Sequence, residues 1–198
     1  MTRIKFPVLP AAFATLMLSA SAVPVHAASW LRLGAVTSRP YGHVDYCTRY
    51  AADCGPRKPR GALPAANLSV LSQVNLAVNR AIAPVSDQDQ YGRAEVWSAD
   101  AVAGDCEDYA LAKRVRLMRM GYHPEDLLLA MTYTGSEYHT VLVVRSRAGD
   151  FVLDNMRDDV VPVAASRLDF IKVQSPEHGA NWLAVTGTTH TAPRHAAS

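Results

Sequence analysis

Apolar positions recur at two different periods along this chain, and the change between them divides it. Across residues 65–83, Leu68, Leu71, Val74, Leu76, Val78 and Ile82 return at near-helical spacing, which predicts an amphipathic helix. A second helix is predicted over 106–120, with Leu111, Val115 and Met118 along one side and Lys113, Arg114, Arg116 and Arg119 interrupting the others. Gly121 suits a C-terminal cap, Pro124 blocks continuation, and the late basic residues complement the negative end of the helix. Beyond that point the period changes. Residues 127–133, 138–145 and 150–156 are short runs rich in Val, Leu and Tyr, and Arg147-Ala148-Gly149-Asp150 reads as a hairpin connection. Further strands are expected near 168–173 and at 181–185. Residues 84–104 hold Pro84, Asp87, Asp89, Gly92 and Gly104 around Tyr91 and Trp97, and read as a loop over the core. The order of helix, helix and antiparallel sheet predicts an α+β domain with its helices on one face.

The ends of the chain lack this pattern. Arg3 and Lys5 precede an apolar stretch over 6–23, and Val25-His26-Ala27 fits the small-x-small pattern of a cut after Ala27. Residues 1–27 therefore read as a signal peptide and the protein as exported to the periplasm. The alternative is an uncleaved anchor, against which Pro7 and Pro10 argue. Residues 28–64 have weak periodicity and many turn formers and read as an irregular arm. Residues 65–185 form the expected functional domain, and 186–198, small and polar, a disordered tail. Without Arg3 and Lys5 the 20 basic residues fall to the number of acidic ones, 18, so no basic excess marks a nucleic-acid footprint.

The candidate chemistry lies where the loop meets the second helix, in Gly104-Asp105-Cys106-Glu107-Asp108-Tyr109-Ala110. A cysteine at a helix start faces unpaired N–H groups and the positive end of the dipole, which favour the thiolate. Such a nucleophile needs an imidazole base and a group to orient it. His139 and Asp154 supply those types on successive predicted strands. If the turn lies at 146–149, Asp154 falls opposite Val141, near His139, although a one-residue slip would send it to the other face. In this reading Cys106 attacks a carbonyl carbon, His139 moves the proton, and Asp154 fixes the imidazole tautomer. The Cys106 N–H is an oxyanion donor, and Trp97 is the candidate for a second one from the preceding loop.

Asp105, Glu107 and Asp108 would repel a thiolate. They are either ordinary first-turn acids or ligands of a Ca²⁺ ion that neutralises them. The cysteines and histidines lack compact zinc spacing, and no organic cofactor is expected. Cys47 and Cys54 pair as a small disulfide in an exported chain, or are unpaired surface cysteines; Cys106 is left free by the first reading.

The stretch from Gly104 to Ala110 resembles the bacterial transglutaminase-like cysteine proteinases, as do Tyr138-His139-Thr140-Val141-Leu142 and Phe151-Val152-Leu153-Asp154-Asn155. Tyr91-Gly92, Trp97, Phe170-Ile171-Lys172 and Trp182 also fit. The resemblance implies a papain-like, transglutaminase-like fold and a Cys106-His139-Asp154 triad. Well-understood relatives are periplasmic proteases that clip surface adhesins of biofilms, need calcium, and answer to a membrane receptor for cyclic di-GMP. Carried over, this implies a protein substrate such as an adhesin, a regulatory receptor, and calcium on Asp105 and Glu107. The arm, with Cys47 and Cys54, departs from that pattern. Two other functions use the same residues or fold: a transglutaminase or amidase in which an amine resolves the thioester, and a binding module without activity.

Overall fold

The computed structural model describes residues 27–58 and 61–191. Apart from Ala27 the expected leader lies outside the described residues, and so do residues 192–198 of the expected tail. In chain order the elements are β1 (Trp30–Thr37), α1 (Tyr41–Arg49), α2 (Leu68–Ala81), β2 (Ala83–Pro84), α3 (Asp87–Tyr91), β3 (Ala103–Gly104) and α4 (Cys106–Arg119). There follow β4 (Leu127–Tyr133), β5 (Tyr138–Ser146), β6 (Gly149–Leu153), β7 (Val161–Pro162), β8 (Asp169–Gln174) and β9 (Trp182–Thr189). Seven strands form one antiparallel sheet in the order β1-β9-β8-β4-β5-β6-β7, while β2 and β3 pair in parallel apart from it. The fold is α+β, with α2 and α4 packed on one face.

Strand residues alternate between faces, and two apolar clusters result. Leu129, Leu142, Val144 and Leu153 meet Leu71, Val74 and Val78 of α2 and Leu111 and Leu117 of α4. Leu128, Ala130, Val141, Val143 and Val152 lie in the second cluster with Leu31, Val163 and Val173. Because both faces are covered, β5 is buried from its second residue to its last. That is why it reads as a continuous apolar run rather than as an alternation. α2 begins where the Asn67 side chain accepts a hydrogen bond from the Val70 N–H at 3.2 Å, a side-chain N-cap.

The arm is not irregular. β1 is the edge strand of the main sheet, with Trp30 opposite Thr189 and Thr37 opposite Trp182. Its start is also tied to the β5–β6 hairpin. The Trp30 indole N–H donates to the Ser146 carbonyl at 2.8 Å, and the Leu31 N–H donates to Asp150 Oδ2 at 2.9 Å. By the same pairing β9 runs to Thr189, so residues 186–189 of the expected tail are strand. α1 and the loop behind it are closed by a Cys47–Cys54 disulfide. That loop is keyed to α4 by an ion pair between Asp53 and the fully buried Arg114. Among the described residues no helix is long and apolar enough to cross a membrane.

Candidate active site

Cys106 is the first residue of α4 and Asp105 its N-cap residue. The backbone before it must pass very close to the first turn: a Cβ on Gly104 would fall 1.9 Å from Asp108 Oδ2. Only glycine leaves room for that carboxylate to fold back under the loop.

The hairpin brings the other two residues together. Ser146 pairs with Gly149, and Gly149 takes a φ of 123°, so a two-residue turn of Arg147 and Ala148 fixes the register. Leu142 then pairs with Leu153, and Asp154 follows immediately beyond the strand, level with Val141. His139 Nε2 donates to Asp154 Oδ1 at 2.8 Å, with both side chains nearly inaccessible. Asp154 Oδ1 also accepts the Met156 N–H at 2.9 Å. Burial alone would raise the Asp154 carboxyl, but the His139 and Met156 bonds and the charge of Lys113 hold it below the usual range.

Cys106 meets this pair at the edge of β5. The N–H of Thr140, next to His139, donates to Cys106 Sγ at 3.3 Å. Cys106 and His139 share the wall of an open cleft of about 720 Å³, with Glu107, Tyr138, Asn155 and Met156. The thiol, however, is pushed above its ordinary value, chiefly by burial and then by the carboxylate of Glu107, whose Oε2 accepts the S–H at 3.2 Å. The dipole argument for an acidic thiol left out the carboxylates packed around the helix start.

Those carboxylates have an order of their own. Ligand atoms of Asp87, Asp105 and Asp108 lie within 4.8 Å of one another. One oxygen of each is fixed by a backbone N–H. Asp87 Oδ2 accepts from Val96, Asp108 Oδ1 accepts from Ser98 at 2.7 Å, and Asp105 Oδ2 accepts from Asp87 at 3.3 Å. The remaining oxygens, Asp87 Oδ1, Asp105 Oδ1 and Asp108 Oδ2, are buried without a hydrogen-bond partner. Burial raises Asp87, and burial together with the charges of Asp105 and Asp87 raises Asp108 to about 7. Preorganised acidic oxygens lacking partners suit a hard cation with oxygen ligands. Asp105 thus stands where a metal ligand was expected and belongs to two such groups: one with Asp87 and Asp108, and one with Cys106 and the expected Glu107, whose ligand atoms also lie within 4.8 Å of one another. Glu107 turns toward the thiol, and its carboxyl is raised by burial and by the charge of Asp105.

Trp97 is placed differently from expectation. Its ring is 1% exposed, stacks edge-on against His43 and Trp182, and donates its indole N–H to Glu95 Oε2 at 3.1 Å. It belongs to the core, and its carbonyl is held by Arg49 at 2.7 Å, which steadies the loop that carries Val96 and Ser98. Asp87 and the Thr140 N–H escaped the sequence reading. Asp87 looked like a turn former, and a backbone donor has no side-chain signature.

A thiol at a helix start, set against an imidazole–carboxylate pair on an antiparallel hairpin, is the plan of papain-like, transglutaminase-like cysteine peptidases. Residues 33–190 match the model of the bacterial transglutaminase-like cysteine proteinases, so the chain belongs to that family and is a cysteine peptidase. Among solved structures the calcium-bound LapG of Legionella pneumophila is similar. It is 19% identical, with a TM-score of 0.50 over 68% of this chain and 76% of that one. LapG of the same organism also matches at 22% identity over 61% of this chain and 71% of that one, with a TM-score of 0.49. Its EGTA-treated form matches at 22% identity over 62% and 70%, with a TM-score of 0.48. The likeness is one of fold. No curated protein matches the chain.

Proposed function

We propose that this chain is an exported, periplasmic endopeptidase that hydrolyses a protein substrate through Cys106, His139 and Asp154. The observation that carries the reading is the buried 2.8 Å bond from His139 to Asp154 in the cleft wall shared with Cys106. With Nε2 committed to Asp154, Nδ1 is the ring nitrogen left to take the thiol proton. The thiolate, supported by the Thr140 N–H, attacks the scissile carbonyl. The Cys106 N–H, in the first turn of α4, serves as an oxyanion donor. His139 returns the proton to the leaving amine, and a thioester remains on Cys106. Water activated by His139 then releases the acyl product and restores the thiol.

Calcium fits Asp87, Asp105 and Asp108, and three orphaned oxygens support that assignment. When bound, the ion supplies positive charge beside the helix start, offsetting the acids around Cys106. The family resemblance extends the proposal to a surface adhesin as substrate and a membrane receptor as regulator.

The test is the rate of iodoacetamide alkylation at Cys106 against pH, read by mass spectrometry. With calcium, labelling should persist well below the ordinary thiol pKa of about 8.5. His139→Ala or chelator should abolish that. Labelling that rises only near the ordinary value, indifferent to both, sinks the triad and favours a binding module. A labelled amine separates the acyl acceptors: incorporation without cleavage would make the enzyme a transferase.

A further inference from the structure

Asp154 lies one residue beyond the end of β6, so no sheet ladder fixes its own carbonyl or the loop that follows. The contacts that do fix them come from α2. Asn79 Nδ2 donates to the Asp154 carbonyl at 3.0 Å and to the Arg157 carbonyl at 3.0 Å, with Asp158 Oδ1 at 3.3 Å. One turn earlier, Asn75 Nδ2 donates to the carbonyls of Arg157 at 2.9 Å and Asp158 at 3.0 Å. Residues four apart share one helix face. α2 therefore presents its apolar stripe to the core and two amides to the loop that carries Asp154.

We propose that Asn79 is a positioning residue for the His139–Asp154 pair, and that Asn75 anchors only the far side of the same loop. The inference rests on the reading of Asp154 as the group that orients His139. Its physical basis is the chemistry of the acceptors. Main-chain carbonyls require a donor, and an uncharged –NH₂ offers two protons at once. A carboxylate of the same shape would have nothing to give them and would face Asp158. An aliphatic side chain would leave part-buried carbonyls unpaired. A buried asparagine is otherwise a poor choice for a helix interior, since its amide is costly to desolvate and competes with the helix backbone. Asn75 is nonetheless fully buried and Asn79 half-buried. The lever arm is short. Asp154 Oδ1 must serve His139 at 2.8 Å and the Met156 N–H at 2.9 Å together, so a small rotation of the Asp154 main chain breaks one of them. The titratable and charged groups acting on Asp154 are His139 on β5, Lys113 on α4 and Arg157 in its own loop, with Asp158 of that loop acting on Lys113 and accepting from Asn79.

Asn79→Leu and Asn75→Leu, with Asp154→Ala as reference, test the assignment in the purified protein. The readouts are the downfield NMR signal of the His139 Nε2 proton, the Cys106 alkylation rate with calcium present, and thermal stability. Asn79→Leu should move the His139 signal toward that of Asp154→Ala and slow alkylation about tenfold. Asn75→Leu should lower stability while leaving the His139 signal and the alkylation rate as in the wild type. If Asn79→Leu does not fold, Asn79→Asp, of the same shape without the donor, is read by the same two signals. Wild-type signal and rate in the folded Asn79 variant overturn the proposal, and so do equal effects from the two asparagines. If Asp154→Ala itself changes neither readout, the triad reading fails instead, which is a separate result.

Discussion

Lys113 offers a sharp test of the physics inside this domain. It lies on α4 between the core and the His139–Asp154 pair, fully buried, with no hydrogen-bond partner for Nζ and the Tyr109 ring centroid 5.9 Å away. Burial lowers its pKa from 10.5 to about 7, against the partial support of Asp154 and Asp158. The folded value lies below the unfolded one. Between the two the unfolded chain therefore holds the extra proton, and folding is penalised for giving it up. The penalty is full below about pH 7 and fades as pH rises toward 10.5. At pH 7 a gap of that size amounts to at most about 4 kcal/mol. Lys113→Met keeps the length of the side chain and removes the charge. It should raise the urea midpoint at pH 7 with an unchanged m-value, and its advantage should shrink steadily between pH 7 and pH 10. A variant less stable than wild type at pH 7, or an advantage that does not vary with pH, would refute the reasoning. The cost should fall on Asp154, which loses a favourable charge and titrates higher.

The other expectations concern the supports of the site. Gly104→Ala would drive a Cβ to 1.9 Å from Asp108 Oδ2, so it should cost about 1–3 kcal/mol and abolish any calcium-induced rise in melting temperature, as read by calorimetry with calcium and with EGTA. Asp53→Asn leaves Arg114 buried without its counter-charge and should cost about 3–5 kcal/mol in denaturant unfolding at pH 7. Burial works to raise the Asp53 carboxyl, but Arg114 overrides it and holds the pKa below the usual range. The ion pair's contribution should therefore be complete at neutral pH and lost as pH falls through that depressed value. Opening the loop between Cys47 and Cys54, seven positions apart, with serine at both should cost about 2.5 kcal/mol by loop entropy, measured by the same unfolding assay.

What the sequence revealed and what it hid divide along the range of the interactions. The α2 and α4 patterns and the hairpin turn are local and were legible from spacing; the place of Asp154 level with Val141 followed only on condition of the turn position, and the two-residue turn of the fold supplies that register. β1 was not, because its partner β9 lies at the other end of the chain and Trp30 opposite Thr189 leaves no nearby trace. Lys113 and Arg114 looked like polar interruptions of α4. Arg114 is in fact buried because Asp53 and the Leu127 carbonyl, both distant in sequence, receive its guanidinium. Asp87 was invisible as a candidate ligand for the same reason: its neighbour Asp105 is brought to it by the fold, 18 positions along the chain.

The electrostatics of Cys106 show where local reasoning reverses. A helix start contributes roughly half a positive charge, confined to the first turn. Against it stand Glu107, bonded to the sulfur, and Asp105, both of which raise the thiol, with Asp87 and Asp108 gathered behind Asp105. Even with Glu107 and Asp108 raised and so only partly ionised at neutral pH, the gathered carboxylates oppose the half charge of the helix start unless something compensates them. The same packing that frustrates the thiolate leaves one oxygen on each of three clustered carboxylates without a donor. A divalent cation there would answer both conditions at once: it would satisfy the orphaned oxygens and reverse the sign of the field at the start of α4. The acidic neighbours of the nucleophile then cease to be a contradiction. On the proposed reading they would be the reason an ion is needed before His139 can hold the proton that Cys106 gives up.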